Sequence, residues 1–324
     1  MANWPTLSEW AARLDPDGSI AAIVELMSQT NEILQDAVFV EGNLPTGHRT
    51  TVRTSIPSAT WRKLNYGVQN TKSATQQITD TVGMLETYAE VDKDLADLNG
   101  NTAEFRLSED APHIEGMNQQ MATTLFYGDT AVYPERFLGL MPRYDALGDP
   151  SNPGTSYLDH VIDGTGVDAG SNSSVWLVVW GENTVHMIFP KGSKAGLLTE
   201  DLGQQTLTDA AGGKYEGYRS HYQWKTGLSV RDWRYIVRIA NVDPTAAFDY
   251  TLLIKAYNTI PTIGMGKAVF YCNRAVKTQV DIAAAEKSNA ALSIKEVFGE
   301  PQTMFWNVPI KQCDALLTTE AVVA

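Results

Sequence analysis

The sequence predicts a mixed α+β fold with several β-sheets, and three observations support this fold class. Runs rich in β-branched and aromatic residues, such as Thr50–Ile56 and Val175–Trp180, indicate strands. An apolar stripe that recurs at helical spacing from Ile114 to Phe126 indicates a long amphipathic helix. The 324 residues show no internal repeat, and a hydrophobic content of 43% is enough for a sizeable core.

Residues 1–41 are predicted to form two helices followed by a short strand. Asp15–Gly18 breaks the chain, and the apolar residues of Ile20–Leu34 have the spacing of the second helix. The segment carries one arginine and seven acidic residues, a balance of −6. It is either a helix pair docked on its own domain or an arm that packs on a neighbouring subunit. The acidic residues that would make the second kind of contact are Glu25, Glu32, Asp36 and Glu41.

Residues 42–91 are predicted to contain a long hairpin, with strands near Thr50–Ile56 and Thr75–Val82. No Asp or Glu occurs from Gly42 to Thr79. The five basic residues of this stretch, which give it a charge of +5, are Arg49, Arg53, Arg62, Lys63 and Lys72. Because the stretch has few large apolar side chains, it cannot bury much surface on its own. We expect it to lie on an acidic partner, either nucleic acid or another copy of this acidic chain. A solvated hairpin with a chance run of charge is the alternative.

Residues 92–150 are predicted to be largely helical. A short helix from Tyr88 would end at Gly100. The long amphipathic helix would begin near Ser108, since acidic residues and Pro112 suit a first turn, and it would end at Gly128. We call this the spine helix.

The remainder of the chain, from about 151, is predicted to alternate strands with two helices. Residues 145–174 have the composition of a loop or domain seam, and 199–214 that of a polar connection. The predicted elements are a hairpin of Val175–Trp180 with Val185–Phe189, a strand at Tyr218–Trp224 ended by a turn at Thr226–Gly227, a strand at Trp233–Ile239, a helix at Phe248–Tyr257, a strand at Lys267–Tyr271, a helix from Asn273 to about Lys287, and two strands in 294–310.

Charge and composition exclude several classes of protein. The formal net charge is −13, so the chain as a whole is a poor binder of nucleic acid. No apolar run approaches the roughly 20 residues of a membrane span, and the N-terminus lacks the pattern of a signal peptide. Cys272 and Cys313 have no metal or redox spacing, which is typical of reduced thiols in the cytosol.

Local motifs predict no catalytic, cofactor-binding or metal site. No two of the five histidines have the spacing of metal ligands, and partial matches to calcium, phosphate and dinucleotide loops each lack required residues. A site assembled by folding stays open as an alternative. Its candidate residues are His221, Trp224 and Asp232, which would make the protein a metal-independent enzyme.

Several stretches of the chain resemble the major capsid proteins of short-tailed phages with the Hong-Kong-97-type fold. Each stretch has low specificity alone, but they occur in the order of that family and together cover most of the chain. They are Met84–Asp92, Leu125–Asp129, Pro134–Gly139, Trp224–Asp232, Arg238–Val242, Tyr271–Val276, Val308–Ile310 and Asp314–Glu320.

The resemblance implies an N-terminal arm at 1–41, an extended loop at 42–91, a peripheral domain with the spine helix at 92–150, and an axial domain from 151 to 324. The last range would include any peripheral-domain strands that return. A permuted chain order stays open, because the sequence ends soon after Val308–Ile310, where many relatives continue. In this family the extended loop reaches across the adjacent subunit, so the five basic residues of the hairpin would contact an acidic neighbour.

The resemblance also implies partners and a location. The chain would form hexamers and pentamers with itself, and it would meet a separate scaffolding protein, a portal protein and, in some shells, a cement or decoration protein. Packaged double-stranded DNA would be touched only by weak non-specific contacts, and no membrane is involved. The protein would reside in the virion capsid after assembly in the cytoplasm of the host bacterium. Two alternatives remain, which are lysine–asparagine crosslinks through Lys63 or Lys72 and a role as a decoration or tail protein.

Overall fold

The structure is a computed structural model that describes residues 29–98, 100–148, 156–166, 170–209, 211–285, 292–297 and 300–324. The predicted first helix, most of the predicted second helix and Glu25 lie outside these residues.

The described chain alternates strands with a few helices. The helices are α1 Ile33–Asp36, α2 Lys93–Ala96, α3 Thr102–Tyr127, α4 Thr251–Thr259 and α5 Arg274–Ala285, with single-turn 3-10 helices at Met141–Arg143, Tyr157–His160, Trp233–Tyr235 and Ile263–Met265. The strands are β1 Phe39–Glu41, β2 Gly47–Ser55, β3 Ala74–Thr81, β4 Gly83–Asp92, β5 Val161–Asp163, β6 Ser173–Trp180, β7 Val185–Phe189, β8 Leu197–Thr208, β9 Lys214–Val230, β10 Ile236–Val242, β11 Lys267–Cys272, β12 Leu292–Val297, β13 Glu300–Phe305 and β14 Val308–Gln312.

Among the described residues, twelve strands form one mixed sheet, and β2 with β3 forms a separate pair. The longest path through the large sheet runs β12-β13-β14-β11-β6-β7-β9-β4, with β10 also on β6, β5 on β10, β1 on β7 and β8 on β9. The predicted α+β class is confirmed. The main core covers this sheet and includes residues from the end of the spine helix, such as Leu125 and Phe126.

Strand β6 lies at the centre of the sheet, and its environment corrects one prediction. We expected β6 and β7 to form a hairpin, but they meet in parallel at one pair, Trp180 with Val185. Strand β6 instead pairs antiparallel with β10 and β11. All eight of its residues are buried, which explains the continuous apolar run, since a strand covered on both faces does not alternate.

A long three-stranded unit, β8–β9–β4, carries the spine helix on one face. Strand β9 pairs with β4 from Gly83 opposite Thr226 to Asp92 opposite Gly217. It pairs on its other edge with β8. The predicted helix from Tyr88 is present only as α2, Lys93–Ala96, because residues 88–92 belong to β4. The predicted loop at 199–214 was wrong, since β8 covers most of it and its exposed polar residues hide the strand pattern.

Strand β9 runs on through the turn that was predicted at Thr226–Gly227. Gly227 is needed because the backbone of Thr81 passes close to it. A Cβ atom at position 227 would lie 2.4 Å from the backbone oxygen of Thr81. The predicted turn at Thr226–Gly227 was therefore wrong, although glycine is required at position 227.

The spine helix, α3, is longer than predicted. It begins at Thr102, six residues before the expected start, and contains Pro112 in its interior. Phe105 in the added turns is buried against Val91, Leu95 and Ala96. This tertiary packing stabilises turns that the proline disfavours locally. In the described part of the chain, no helix is long and apolar enough to span a membrane.

Candidate assembly surface

The β2–β3 pair projects as an extended hairpin, which we define as residues 47–81. Its strands pair in register from Gly47 opposite Thr81 to Arg53 opposite Thr75. At its base only glycine fits at position 47, because a Cβ atom there would lie 2.1 Å from the backbone oxygen of Asp80. A groove of about 430 Å³ remains between the hairpin residues Val52 and Ile78 and the body of the subunit. These parts of the strands therefore do not pack tightly against the body.

All five predicted basic contact residues lie on this hairpin and are exposed. Arg49 in β2 donates a hydrogen bond from Nε to Thr79 Oγ1 at 3.2 Å, within the hairpin. Arg53 ends the regular pairing of β2, and the other three lie in the connection between the strands, at Arg62, Lys63 and Lys72. Their charges thus face solvent in the isolated subunit.

The connection between β2 and β3, residues 56–73, is the hairpin tip, and it exposes large apolar side chains. Trp61 is fully exposed at 100%, and Ile56, Leu64 and Tyr66 are exposed at 84%, 85% and 71%. The sequence analysis noted a shortage of core residues here but did not assign these side chains a function. Their exposure indicates a surface that another molecule covers.

The base of the hairpin is fixed by a partly buried ion pair. Asp80 of β3, whose side chain is 5% exposed, accepts from Arg143 Nη2 at 2.7 Å. Arg143 lies in the 3-10 turn that follows the spine helix, so this pair ties the hairpin to the body.

Two histidines lie beside this ion pair. His48, opposite Asp80 in the β2–β3 register, has its ring centroid 5.8 Å from that of His186 in β7. Burial, followed by the charges of His48 and Arg231, lowers the pKa of His186 to about 4. Burial and Arg231 also lower the pKa of His48. The His186 ring is therefore held neutral at physiological pH.

The described acidic residues of the predicted arm face their own subunit. The Asp36 side chain is 2% exposed and accepts from Lys267 Nζ at 2.6 Å, Lys311 Nζ at 2.9 Å and the Tyr271 hydroxyl at 2.9 Å. Burial alone would raise the pKa of Asp36, but these three hydrogen bonds outweigh it and hold the pKa below its usual value.

The other two described acids of the arm also have partners within the chain. Glu32 Oε2 lies 3.4 Å from Lys311 Nζ, and Glu41 Oε1 accepts from the Gly192 amide at 2.8 Å. The hydrogen bonds of the Asp36 carboxylate are made within its own chain, and the contact of the arm with a neighbouring subunit stays a prediction. A buried carboxylate is stable only when hydrogen-bond donors or cations lie next to it in space. Here those cations are two lysines that lie more than 200 residues away in sequence.

A second buried network joins the C-terminal segment to the sheet. Arg238 of β10, which is fully buried, donates to Glu320 Oε2 at 3.0 Å, to Ser174 Oγ at 3.0 Å and to the Tyr144 carbonyl at 2.7 Å. Glu320 also accepts from the hydroxyl of Tyr127, at the end of the spine helix. The sequence analysis placed both Arg238 and Glu320 in stretches that resemble a family but did not pair them.

The face of β4 and β9 that points away from the spine helix is the outer sheet face. Alternate residues of β4 project there, and Met84 and Tyr88 are 59% and 42% exposed. The His221 ring stacks on Tyr88 with centroids 4.5 Å apart, and the Arg219 guanidinium lies 4.2 Å from the Tyr88 centroid. Arg219 Nε is also 3.0 Å from Glu90 Oε1. These contacts hold Tyr88 in one orientation at the surface.

The residues of the enzyme alternative do not converge. His221 and Trp224 are three positions apart in β9, so they project from opposite faces, and Trp224 packs against the core. Asp232 lies beyond the strand, where it accepts from the Arg234 amide and pairs with the Arg234 side chain at 2.7 Å. Within the described residues, no three His, Cys, Asp or Glu side chains form a group able to hold a metal ion.

The sequence of this chain matches a known protein family. Residues 15–324 match the family model described as major capsid protein GP7. No curated protein matches in sequence.

Solved structures give two informative similarities. A chain of the bacteriophage Epsilon15 structure is 33% identical with a TM-score of 0.76, over 100% of this chain and 99% of that one. The capsid of bacteriophage JBD30 is 10% identical with a TM-score of 0.50, over 89% and 91% of the two chains, and indicates a shared fold alone. The predicted phage-capsid fold is thereby confirmed.

Proposed function

This chain belongs to the major capsid protein GP7 family, and we propose that its extended hairpin joins it to its neighbours in the shell. The family match covers most of the chain, and the Epsilon15 similarity extends over its full length. The protein is accordingly a structural subunit that assembles with copies of itself into the icosahedral capsid of a phage. Its location is the capsid of the virion.

The charge distribution is the observation that supports the role of the hairpin. Residues 42–79 carry +5 with no acidic side chain, and removing them from a total of −13 leaves −18 on the rest of the chain. Opposite charges steer two surfaces together and suppress wrong registers. An exposed cationic hairpin and an acidic body on every copy meet this requirement between identical subunits, without any further partner.

Exposure supports the same role. The five basic side chains are exposed in the subunit, and so are most other residues of the two hairpin strands. A two-stranded ribbon has little stability of its own. We propose that an adjacent subunit supports it in the shell, and that the domain borders near residues 41, 91 and 150 separate the arm, the loop, and the peripheral and axial parts.

We propose the remaining partners because a capsid subunit has to assemble into a shell around a genome. We propose hexamers and pentamers as the capsomers, a separate scaffolding protein and a portal protein during assembly, a cement or decoration protein on some shells, and assembly in the host cytoplasm. Packaged DNA would be touched weakly, because the acidic body repels phosphate. The protein would act through assembly, with no catalysis.

The test is charge reversal on the hairpin. Arg49, Arg53 and Arg62 are each replaced by Glu in one variant, co-expressed with the scaffolding protein. We expect a folded subunit, because all three side chains are exposed, and a loss of shells, because the hairpin then repels an acidic neighbour. Circular dichroism measures folding, while light scattering and negative-stain imaging measure shell yield.

A matched control reverses three exposed lysines outside the hairpin, at Lys191, Lys194 and Lys255. This variant has the same change of six charge units, so a general effect of net charge would reduce its shell yield equally. Normal shell yield from the hairpin variant would contradict the proposed role of the hairpin. A wild-type subunit that never forms capsomers or shells with its scaffold would contradict the function itself.

A further inference from the structure

We infer that the hairpin tip binds an adjacent copy through Trp61, and that the outer sheet face of that copy, around Tyr88, receives it. This inference rests on the proposed function, since it takes the neighbouring subunit as the partner. It adds that apolar contact at one end of the hairpin, and not charge alone, holds the two copies together.

The tip has the composition of a binding hot spot. Trp61 is 100% exposed, and Leu64 and Tyr66 nearby are 85% and 71% exposed. Tryptophan, tyrosine and arginine dominate the energetics of protein interfaces, and here Arg62 directly follows Trp61. Side chains of this size seldom stay in water in such a cluster unless a partner covers them.

Local hydrogen bonds shape the tip before it binds. The Thr71 hydroxyl donates to the Ser58 carbonyl at 3.2 Å, and the Tyr66 amide donates to the Lys63 carbonyl at 3.2 Å. The Ala74 amide donates to Ser55 Oγ at 2.9 Å, where the tip joins β3. Order that exists in the free subunit lowers the entropy lost on docking.

The outer sheet face complements the tip in charge and in apolar character. The His221 ring and the Arg219 guanidinium both contact Tyr88 and fix its orientation, and 42% of Tyr88 stays exposed beside Met84. Residues opposite one another in adjacent strands share a face, which places four carboxylates and two cations here. The carboxylates are Glu86, Glu90, Asp92 and Glu200, and the cations are Arg219 and Lys225. The face is thus acidic overall as well as partly apolar.

A second copy fits these features better than a lipid surface or a nucleic acid. A cationic tip with tryptophan could enter either of those, but neither would account for an acidic, aromatic sheet face left uncovered on the same subunit. Every copy carries one tip and one such face, so each can be both donor and receiver. Repetition around a ring then covers both surfaces in all copies, as a heterologous interface requires.

The experiment places a photoreactive aromatic residue at the tip. Trp61 is replaced by p-benzoylphenylalanine, which keeps an aromatic group, and shells formed with the scaffolding protein are irradiated. Mixing isotopically heavy and light subunits before assembly shows by mass spectrometry which crosslinks join two chains. We expect crosslinks between position 61 and peptides containing residues 84–92 or 217–225 of another chain. The same group at Val132, which is 63% exposed on the body, is the control and should not mark those peptides.

Substitutions measure the strength of the contact. Trp61→Ala and Tyr88→Ala are each expected to raise the free subunit concentration in equilibrium with shells at least about tenfold. The double variant should be little worse than either single variant, because each single change already removes the shared contact. Gln69→Ala, an exposed polar change in the same tip, should leave that concentration unchanged.

The results of these experiments distinguish failure of the inference from failure of the proposed function. Crosslinks to other parts of a second chain, to nucleic acid or to lipid would overturn the inference while the proposed function stands. So would Trp61→Ala shells that form at the wild-type concentration. A wild-type chain that forms no shell at all would overturn the proposed function and the inference with it.

Discussion

At the scale of single residues, the most informative group is the buried pair of Arg238 and Glu320. An arginine with no exposed surface is stable in a protein only if its donors have partners. Here the carboxylate, a hydroxyl and a carbonyl supply them. Because Glu320 lies near the C-terminus and Arg238 in the central sheet, the pair fixes where the last residues of the chain lie.

Removing one member of this pair should therefore be costly. Glu320→Ala leaves the Arg238 charge buried without its counterion, and we expect a loss of about 3 to 5 kcal/mol in the free energy of unfolding. Urea denaturation followed by circular dichroism measures it. The double change Arg238→Met with Glu320→Leu should recover most of that loss, since it removes both charges.

A surface pair provides the control for this prediction. Arg234 pairs with Asp232 at 2.7 Å, but its side chain is 50% exposed, so Arg234→Ala should change the stability by less than about 1 kcal/mol. Equal losses from Glu320→Ala and Arg234→Ala would contradict the importance of burial at Arg238.

The buried His186 makes the subunit sensitive to acid. The unfolded chain takes up a proton on this ring near its ordinary pKa of 6.5, whereas the folded ring stays neutral until about pH 4. Stability is fully present above pH 6.5 and falls as pH drops from 6.5 towards 4, by up to about 3 kcal/mol. Urea titrations at several pH values measure this slope.

Two variants separate the contribution of His186 from that of other groups. His186→Leu should flatten the loss of stability between pH 6.5 and 4 relative to the wild type. Met187→Leu, at a buried residue next to His186 that does not titrate, should leave the slope unchanged. A His186→Leu subunit with the wild-type slope would show that this ring does not govern acid sensitivity.

At the scale of elements, the base of the hairpin is held by an ion pair, by the contact of His48 with His186 and by the close approach of Thr81 to Gly227. Asp80 is nearly buried and Arg143 is its cation, while the strands beyond carry mostly exposed residues. The angle between hairpin and body therefore depends on a small number of groups.

Breaking this pair should loosen the hairpin without unfolding the subunit. In Arg143→Met, Asp80 loses its cation, and we expect amide hydrogen exchange within residues 47–52 and 76–81 to accelerate by about tenfold or more. Exchange in the central strand β6 should stay as in the wild type. The control is Arg136→Met, at a half-buried arginine whose guanidinium lies over the Tyr133 ring. Unchanged exchange in the hairpin would mean that other contacts fix its base.

Sequence patterns predicted some elements well and others poorly, and local environment explains the difference. The hairpin strands and the stripe of the spine helix, from Met117 to Phe126, follow from β-branched content and helical spacing. Strand β8 was not predicted, because an exposed, polar edge strand lacks the alternation of apolar and polar residues. The start of the spine helix was missed because the packing of Phe105 outweighs the local effect of Pro112.

At the scale of the whole molecule, contacts between distant parts of the chain could not be predicted. The partners of Asp36 within the chain, Lys267 and Lys311, were not predicted because they lie more than 200 residues away. The outer sheet face was missed for the same reason, since the pairing of β4 with β9 brings Tyr88 and His221 together. The charge contrast between residues 42–79 and the rest of the chain was visible in the sequence, because composition does not depend on folding.

That contrast has one consequence for assembly. Each interface is expected to be weak, and symmetry adds many of them in a closed shell. A hairpin that combines long-range charge attraction with a short-range apolar tip fits this requirement, since charge accelerates encounter and apolar burial slows dissociation.

A density map of the assembled particle, detailed enough to trace the hairpin, tests this picture most directly. We predict that residues 47–81 lie across an adjacent subunit, with the tip against the β4–β9 face of that subunit. A map in which the hairpin folds back on its own body, while copies meet only through other surfaces, would contradict it.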